Sequence, residues 1–179
     1  MRKLHKKGKI TPVGTTLHKP FTKLIWEPND EIYKQFVLTV DTREQQALFR
    51  RPPKGLVIVR DTIPTGDYSI KGFFDDIAFE RKSLPDLYSC LGKDRDRFTE
   101  ELKRFRDIDH RFLVIEGTEH ETLTPQYYSQ IAPASVRMAL VSIELKYGLH
   151  IYYGTRKDIE RYILDRLRKF YLYKRKGEL

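Results

Sequence analysis

The apolar run Ile77-Ala78-Phe79 passes directly into three charges, Glu80-Arg81-Lys82. A solvated strand face alternates apolar and polar residues, so this pattern reads as a buried strand that ends in charge. Side chains two apart on a strand share a face. Glu80 and Lys82 therefore point one way and Arg81 the other. Upstream, Gly66-Asp67 opens a second β-type run, Tyr68-Ser69-Ile70, and Lys71-Gly72 with Asp75-Asp76 supplies a turn between the two runs. A hairpin over this stretch brings Asp67 toward Glu80. Two carboxylates with open positions beside them suit Mg²⁺ or Mn²⁺, hard ions that take oxygen ligands and keep several waters. Such an ion acidifies a bound water and neutralises charge building on a phosphorane-like transition state. Lys82 would orient that water or steady the charge. The expected reaction is metal-assisted phosphodiester hydrolysis. Asp, Glu and Lys are also common surface residues, so the spacing alone leaves an ordinary charged surface open.

The rest of the chain alternates strand and helix. Strands are predicted over 36–40, 56–60 and 150–153. The run Phe112-Leu113-Val114-Ile115-Glu116 is apolar without alternation, as in a strand buried between parallel neighbours. Residues 84–91 and 94–107 read as helices. The second carries an apolar stripe (Phe98, Leu102, Phe105) and spreads basic charge through Arg97, Lys103, Arg104 and Arg106. Residues 125–147 read as mainly helical with a restart near Pro133, and 157–173 as a closing helix. This order suits an α/β domain, a mixed central sheet flanked by helices.

Several linked motifs carry a resemblance. Val40-Asp41-Thr42-Arg43-Glu44, then Gly66-Asp67-Tyr68, then Glu80-Arg81-Lys82-Ser83-Leu84-Pro85-Asp86 resemble, in order and spacing, the nuclease domain of the XPF-type structure-specific endonucleases. That family's signature is a Gly-Asp, a spacer, Glu-Arg-Lys, three residues and an Asp. Asp94-Arg95 before Phe98 is similar to the family's further arginine. The resemblance covers residues 36–155. It implies a restriction-endonuclease-like core and Mg²⁺- or Mn²⁺-dependent cleavage of DNA at branches, flaps or forks, in repair, recombination or replication. It implies Asp67 and Glu80 as metal ligands and Lys82 as the catalytic lysine. Asp41 and Glu44 would line the same cleft, with Asp41 touching the metal directly or through water. Arg43, Arg81 and Arg95 would hold phosphate or carboxylate partners, and Asp86 would support the basic residues from the next helix. The 179 residues leave no space for the helicase region of larger members, and their paired helix-hairpin-helix module is not found after Gly154. A catalytically silent DNA-binding or scaffold subunit, and a nuclease that reads sequence, are the alternatives.

Charge and length bound the remainder. Lys and Arg number 34 against 25 Asp and Glu, a formal net charge of +9. Arg2, Lys3, Lys6, Lys7, Lys9, Lys19 and Lys23 all precede the first acidic residue, Glu27. Such an arm attracts polyanions, and it is equally readable as a solvated tail. Lys3, Lys6, Lys7 and Lys9, with Arg95 and Arg97, are the expected DNA contacts. The expected organisation is an arm over 1–34, its end pinned by residues such as Phe21 and Trp26, and one nuclease domain over 35–179. No apolar run reaches membrane-span length and no secretory signal is visible. The single cysteine, Cys90, sits in an apolar helix pattern and reads as structural. An intracellular protein is the simplest reading. Ile159, Tyr162, Ile163, Leu167, Phe170 and Tyr171 form a stripe that packs on its own core or pairs two subunits into a homodimer. Glu116 is either a third acidic cleft residue or a strand-end carboxylate. Tyr127-Tyr128 and Tyr152-Tyr153 stack on unpaired bases or lie half-buried. Lys174-Arg175-Lys176 touches phosphate or is solvated. His110, His120 and His150 lack ligand spacing.

Overall fold

The computed structural model describes residues 31–124 and 130–179. Lys3, Lys6, Lys7, Lys9, Phe21, Trp26 and the Tyr127-Tyr128 pair lie outside the described residues. The last residues assigned above to the arm do not. Glu31–Lys34 forms a 3-10 turn that buries Ile32 and Tyr33 in the core, so the packed domain starts before residue 35.

A six-stranded sheet organises the chain, in the order β2-β1-β3-β4-β5-β6. Strands β1 (Val37–Asp41) and β2 (Val57–Asp61) are parallel. Strand β3 (Tyr68–Ile70) is antiparallel both to β1 and to β4 (Ile77–Ser83), with Tyr68 opposite Phe79. Strands β4, β5 (His110–Glu116) and β6 (His150–Gly154) are all parallel. This is the mixed sheet and the hairpin read from the sequence.

Helices cover both faces, which is why β4 and β5 are apolar on both. The two-residue period splits their side chains between two cores. Ile77, Phe79, Phe112 and Val114 pack with the C-terminal helix α5 (Arg156–Lys176). Ala78, Leu113 and Ile115 pack with α1 (Leu84–Leu91), α2 (Arg95–Arg104) and α4 (Pro133–Tyr147). Phe79 and Phe112 stack across the parallel pair with centroids 4.5 Å apart. Truncating either to Ala would cost about 3–5 kcal/mol.

The helix predicted over 94–107 ends earlier, in a 3-10 turn at Phe105–Asp107. Pro133 does begin a new helix, at the first turn of α4, where a missing N–H costs nothing. The short α3 (Glu119–Thr122) is unpredicted, although Thr118 and Glu121 form its capping box. In α5, Ile159, Ile163, Leu167 and Phe170 are buried, and Tyr162 and Tyr171 pack against the same core. The stripe thus packs on its own sheet, the first of its two readings. Tyr152 stacks on Tyr162 at 3.8 Å, and Tyr153 packs against the opposite core, so neither is a free base-stacking platform. Lys174 pairs with Asp76 at 2.6 Å. His110 and His150 pack on Phe170 and Phe112. Cys90 is buried. Among the described residues no helix is long and apolar enough to cross a membrane.

Candidate active site

Gly66 sets the geometry. Its φ is +90°, and a Cβ there would lie 3.0 Å from the Phe79 carbonyl oxygen and 3.3 Å from Ala78 and Phe105. Only glycine fits so close an approach at positive φ. The next residue is thereby laid across the sheet. The Asp67 N–H donates to the Phe79 carbonyl at 2.7 Å, and the Asp67 carbonyl accepts from the Asp41 N–H at 2.8 Å. The Asp67 carboxylate accepts the Arg81 backbone N–H at 2.8 Å. Asp67 is thus fixed beside the end of β4, where Glu80 and Lys82 emerge on the face shared with Ala78.

The electrostatics there are strained. Burial is the main reason the Asp67 carboxyl is pushed up to about 7, helped by the negative Glu44 and Glu101 and opposed by Lys82. Glu80 is 4% exposed. Burial first, and then the neighbouring Asp67, raise its carboxyl well above the usual range. Burial pulls Lys82 down, but Glu80 and Glu101 outweigh it and hold the ammonium protonated. Lys82 Nζ donates to Glu80 Oε1, lies 3.4 Å from Glu101 Oε1 and sits 5.2 Å from the centre of the Phe98 ring. These side chains open onto a cleft of about 550 Å³, lined by Arg43, Glu44, Asp67, Glu80, Arg81, Lys82, Asp86 and Arg97 among others.

Not every expected residue joins them in the role given above. Asp41 is 1% exposed and both its oxygens are taken. One accepts the Arg43 N–H and Nε at 2.8 and 2.6 Å, the other Arg43 Nη2 and the Ile63 N–H at 3.1 and 2.7 Å. Burial works to raise its pKa, yet these bonds, led by Arg43, leave it lowered. Asp41 does not line the cleft; it anchors Arg43, whose side chain stays 66% exposed. Arg81 faces the other side of β4, as the period requires. Its side chain is 7% exposed and joins Glu44 at 3.2 Å to Glu116. Arg156, at the start of α5, approaches Glu116 at 3.5 Å and donates to the Ala47 carbonyl at 2.7 Å. Arg81 thus has carboxylate partners, and Glu116 is a strand-end ion-pair partner outside the cleft lining. Asp86 accepts the Ser83 hydroxyl at 2.6 Å while Ser83 caps α1. It supports a helix start rather than a basic residue. Arg95 lines a separate groove with Met138 and Lys146, whereas Arg97 reaches the cleft. Glu101 and Arg156 went unread. The first lies three residues after Phe98 on α2, a spacing that places both beside one neighbour.

Comparison with known proteins identifies the family and the fold. The ERCC4 domain model matches residues 40–163. A comparison with curated proteins finds no match. Among solved structures, XPF from Aeropyrum pernix superposes with a TM-score of 0.59 at 22% identity, over 79% of this chain and 68% of that one. XPF from the same organism in complex with DNA superposes with a TM-score of 0.54 at 21% identity, over 78% of this chain and 66% of that one. At these identities the likeness is one of fold, that of an XPF-type nuclease domain. The family match, by contrast, spans most of the chain, and the chain belongs to the ERCC4 domain family.

Proposed function

We propose that the protein is a DNA endonuclease that hydrolyses phosphodiester bonds with Mg²⁺ or Mn²⁺, at branched, flap or fork structures, in repair, recombination or replication. The observation that carries this reading is the pairing of Asp67 and Glu80. Each lies where its negative charge is poorly solvated, and Asp67 raises Glu80 further. A hard divalent cation relieves that cost, and the donor set is all oxygen. The two carboxylates are only a partial shell, since among the described residues no group of three or more ligating side chains is arranged to hold a metal. A shell completed by waters and phosphate is what a Mg²⁺-type site uses. When bound, the ion would acidify a water and offset charge on the phosphate.

The chain's own residues supply the rest. Lys82 enters as an ammonium, so it donates hydrogen bonds to the attacking water or to a non-bridging oxygen and does not act as a base. Arg43, fixed on Asp41, presents an exposed guanidinium at the rim. Arg97, 78% exposed, presents another. Both suit phosphate contact in a chain of net charge +9. Arg81, Glu44 and Glu116 hold the end of β4 in place. XPF solved in complex with DNA shares the fold, in keeping with a nucleic-acid substrate. The complete Asp67-Glu80-Lys82 set speaks against a silent scaffold.

The test is cleavage of forks, flaps and unbranched duplexes of varied sequence, in Mg²⁺ and in Mn²⁺, by the parent and by Glu80→Ala. We expect branched substrates to be cut by the parent and not by the variant. Equal cutting by Glu80→Ala refutes the site, and faster cutting of one duplex sequence refutes branch recognition.

A further inference from the structure

We infer that Glu101 is a positioning residue for Lys82, and that α2 is built as the seat of that lysine. This rests on the nuclease reading and extends it to a residue outside the Gly-Asp and Glu-Arg-Lys motifs. Three groups hold the Lys82 ammonium: Glu80 Oε1, Glu101 Oε1 at 3.4 Å and the face of Phe98 at 5.2 Å. Two of the three belong to α2. Phe98 and Glu101 stand three residues apart, so one turn of helix presents an aromatic face and a carboxylate to the same cation. Glu101 does not line the cleft. It approaches Lys82 from the helix and not from the side that substrate enters.

The arrangement matters because Glu80 has two duties. As a metal ligand it must turn its lone pairs to the ion, and its hold on Lys82 then weakens. Asp67 is committed to the Arg81 N–H on its other side. Glu101 is the carboxylate left to keep Lys82 aimed. Phe98 is buried and fixed in the core with Leu102 and Phe105, so the seat is rigid.

The experiment compares the parent with Glu101→Gln, Glu101→Ala, Lys82→Met and Lys82→Met/Glu101→Ala. Single-turnover cleavage is measured at saturating fork DNA. DNA affinity is measured without metal, Mn²⁺ affinity by calorimetry on the metal-free protein, and fold by circular dichroism. We expect the rate to fall about 10–100-fold in Glu101→Ala and less in Glu101→Gln, which keeps an acceptor, the size expected when a positioned hydrogen-bond donor is displaced. DNA and Mn²⁺ affinities should stay within about twofold, and Glu101→Ala should add nothing once Lys82 is Met. A rate loss under threefold in a folded Glu101→Ala overturns the proposal. So does a parallel loss of Mn²⁺ affinity, which would make Glu101 a metal ligand, and so does full additivity with Lys82→Met. A parent that cuts no substrate refutes the nuclease reading and the seat together. A parent that cuts, with an indifferent Glu101, refutes the seat alone.

Discussion

Arg81 is where a phosphate-binding role and an architectural role make opposite forecasts. Arg81→Met keeps the length of the side chain and its backbone N–H to Asp67, and deletes only the guanidinium. The bonds lost are those to Glu44 at 3.2 Å and to Glu116 through Nε at 2.9 Å and through Nη2. Removing one partner of a buried ion pair strands the others, at about 3–5 kcal/mol. Glu44 retains the Gln46 N–H at 2.7 Å and the Tyr68 hydroxyl at 3.3 Å, and Glu116 retains Arg156. These survivors place the expected loss at the lower end, about 3 kcal/mol. For a chain of this length that lowers Tm by roughly 6–12 °C. Urea denaturation of the metal-free protein reads the free energy, and a salt titration of fork binding reads phosphate contacts. We expect a stability loss of this size with the salt slope unchanged. Adding Glu116→Gln should recover part of it, since a neutral partner no longer needs the cation. A loss below about 1 kcal/mol, together with a salt slope smaller by about one, would assign Arg81 to phosphate and refute the argument.

Other consequences are as direct. Gly66→Ala meets both positive φ and a backbone oxygen at 3.0 Å that has no room to retreat; thermal unfolding should show a loss of about 2–3 kcal/mol, and a loss below about 0.5 kcal/mol would show that the hairpin adapts. Asp67 gives a pH signature. Its pKa of about 7 when folded exceeds the ordinary 3.8, so its contribution favours the folded state below about pH 4 and is lost as pH rises through 7. Asp67→Asn removes that loss. The stability difference between variant and metal-free parent should therefore shift toward the variant by on the order of 2–4 kcal/mol between pH 4 and 8, and a difference constant with pH would show an Asp67 that ionises normally.

What the sequence disclosed and what it hid divide by how local the cause is. The hairpin was legible because its determinants, a Gly-Asp at one end and a turn at the other, lie within the segment itself. The strand period likewise put Glu80 and Lys82 on one face and Arg81 on the other. The helix at Leu84–Leu91 was legible to the residue, because Ser83 caps it and Pro85 fits its first turn. Where Asp41 points was not legible, because its carboxylate is held jointly by nearby Arg43 and by the Ile63 N–H, from a segment 22 residues away. Arg95 and Arg97 look alike in sequence, and only the packing of α2 against α4 sends one toward a second groove. Glu101 was hidden for the same reason, since Glu100 beside it is an equal candidate until α2 is rotated onto the sheet. The end of β4 ties both kinds of information together. Even-numbered residues there face the chemistry and the odd one braces the frame, so a slip of a single residue would exchange the two roles. The long parallel register with β5, from Ile77 opposite His110 to Ser83 opposite Glu116, is what forbids that slip. The apolar run Ile77-Ala78-Phe79 thus secures the site, because it fixes which of the three following charges share the face of Ala78 and which one turns to the opposite side.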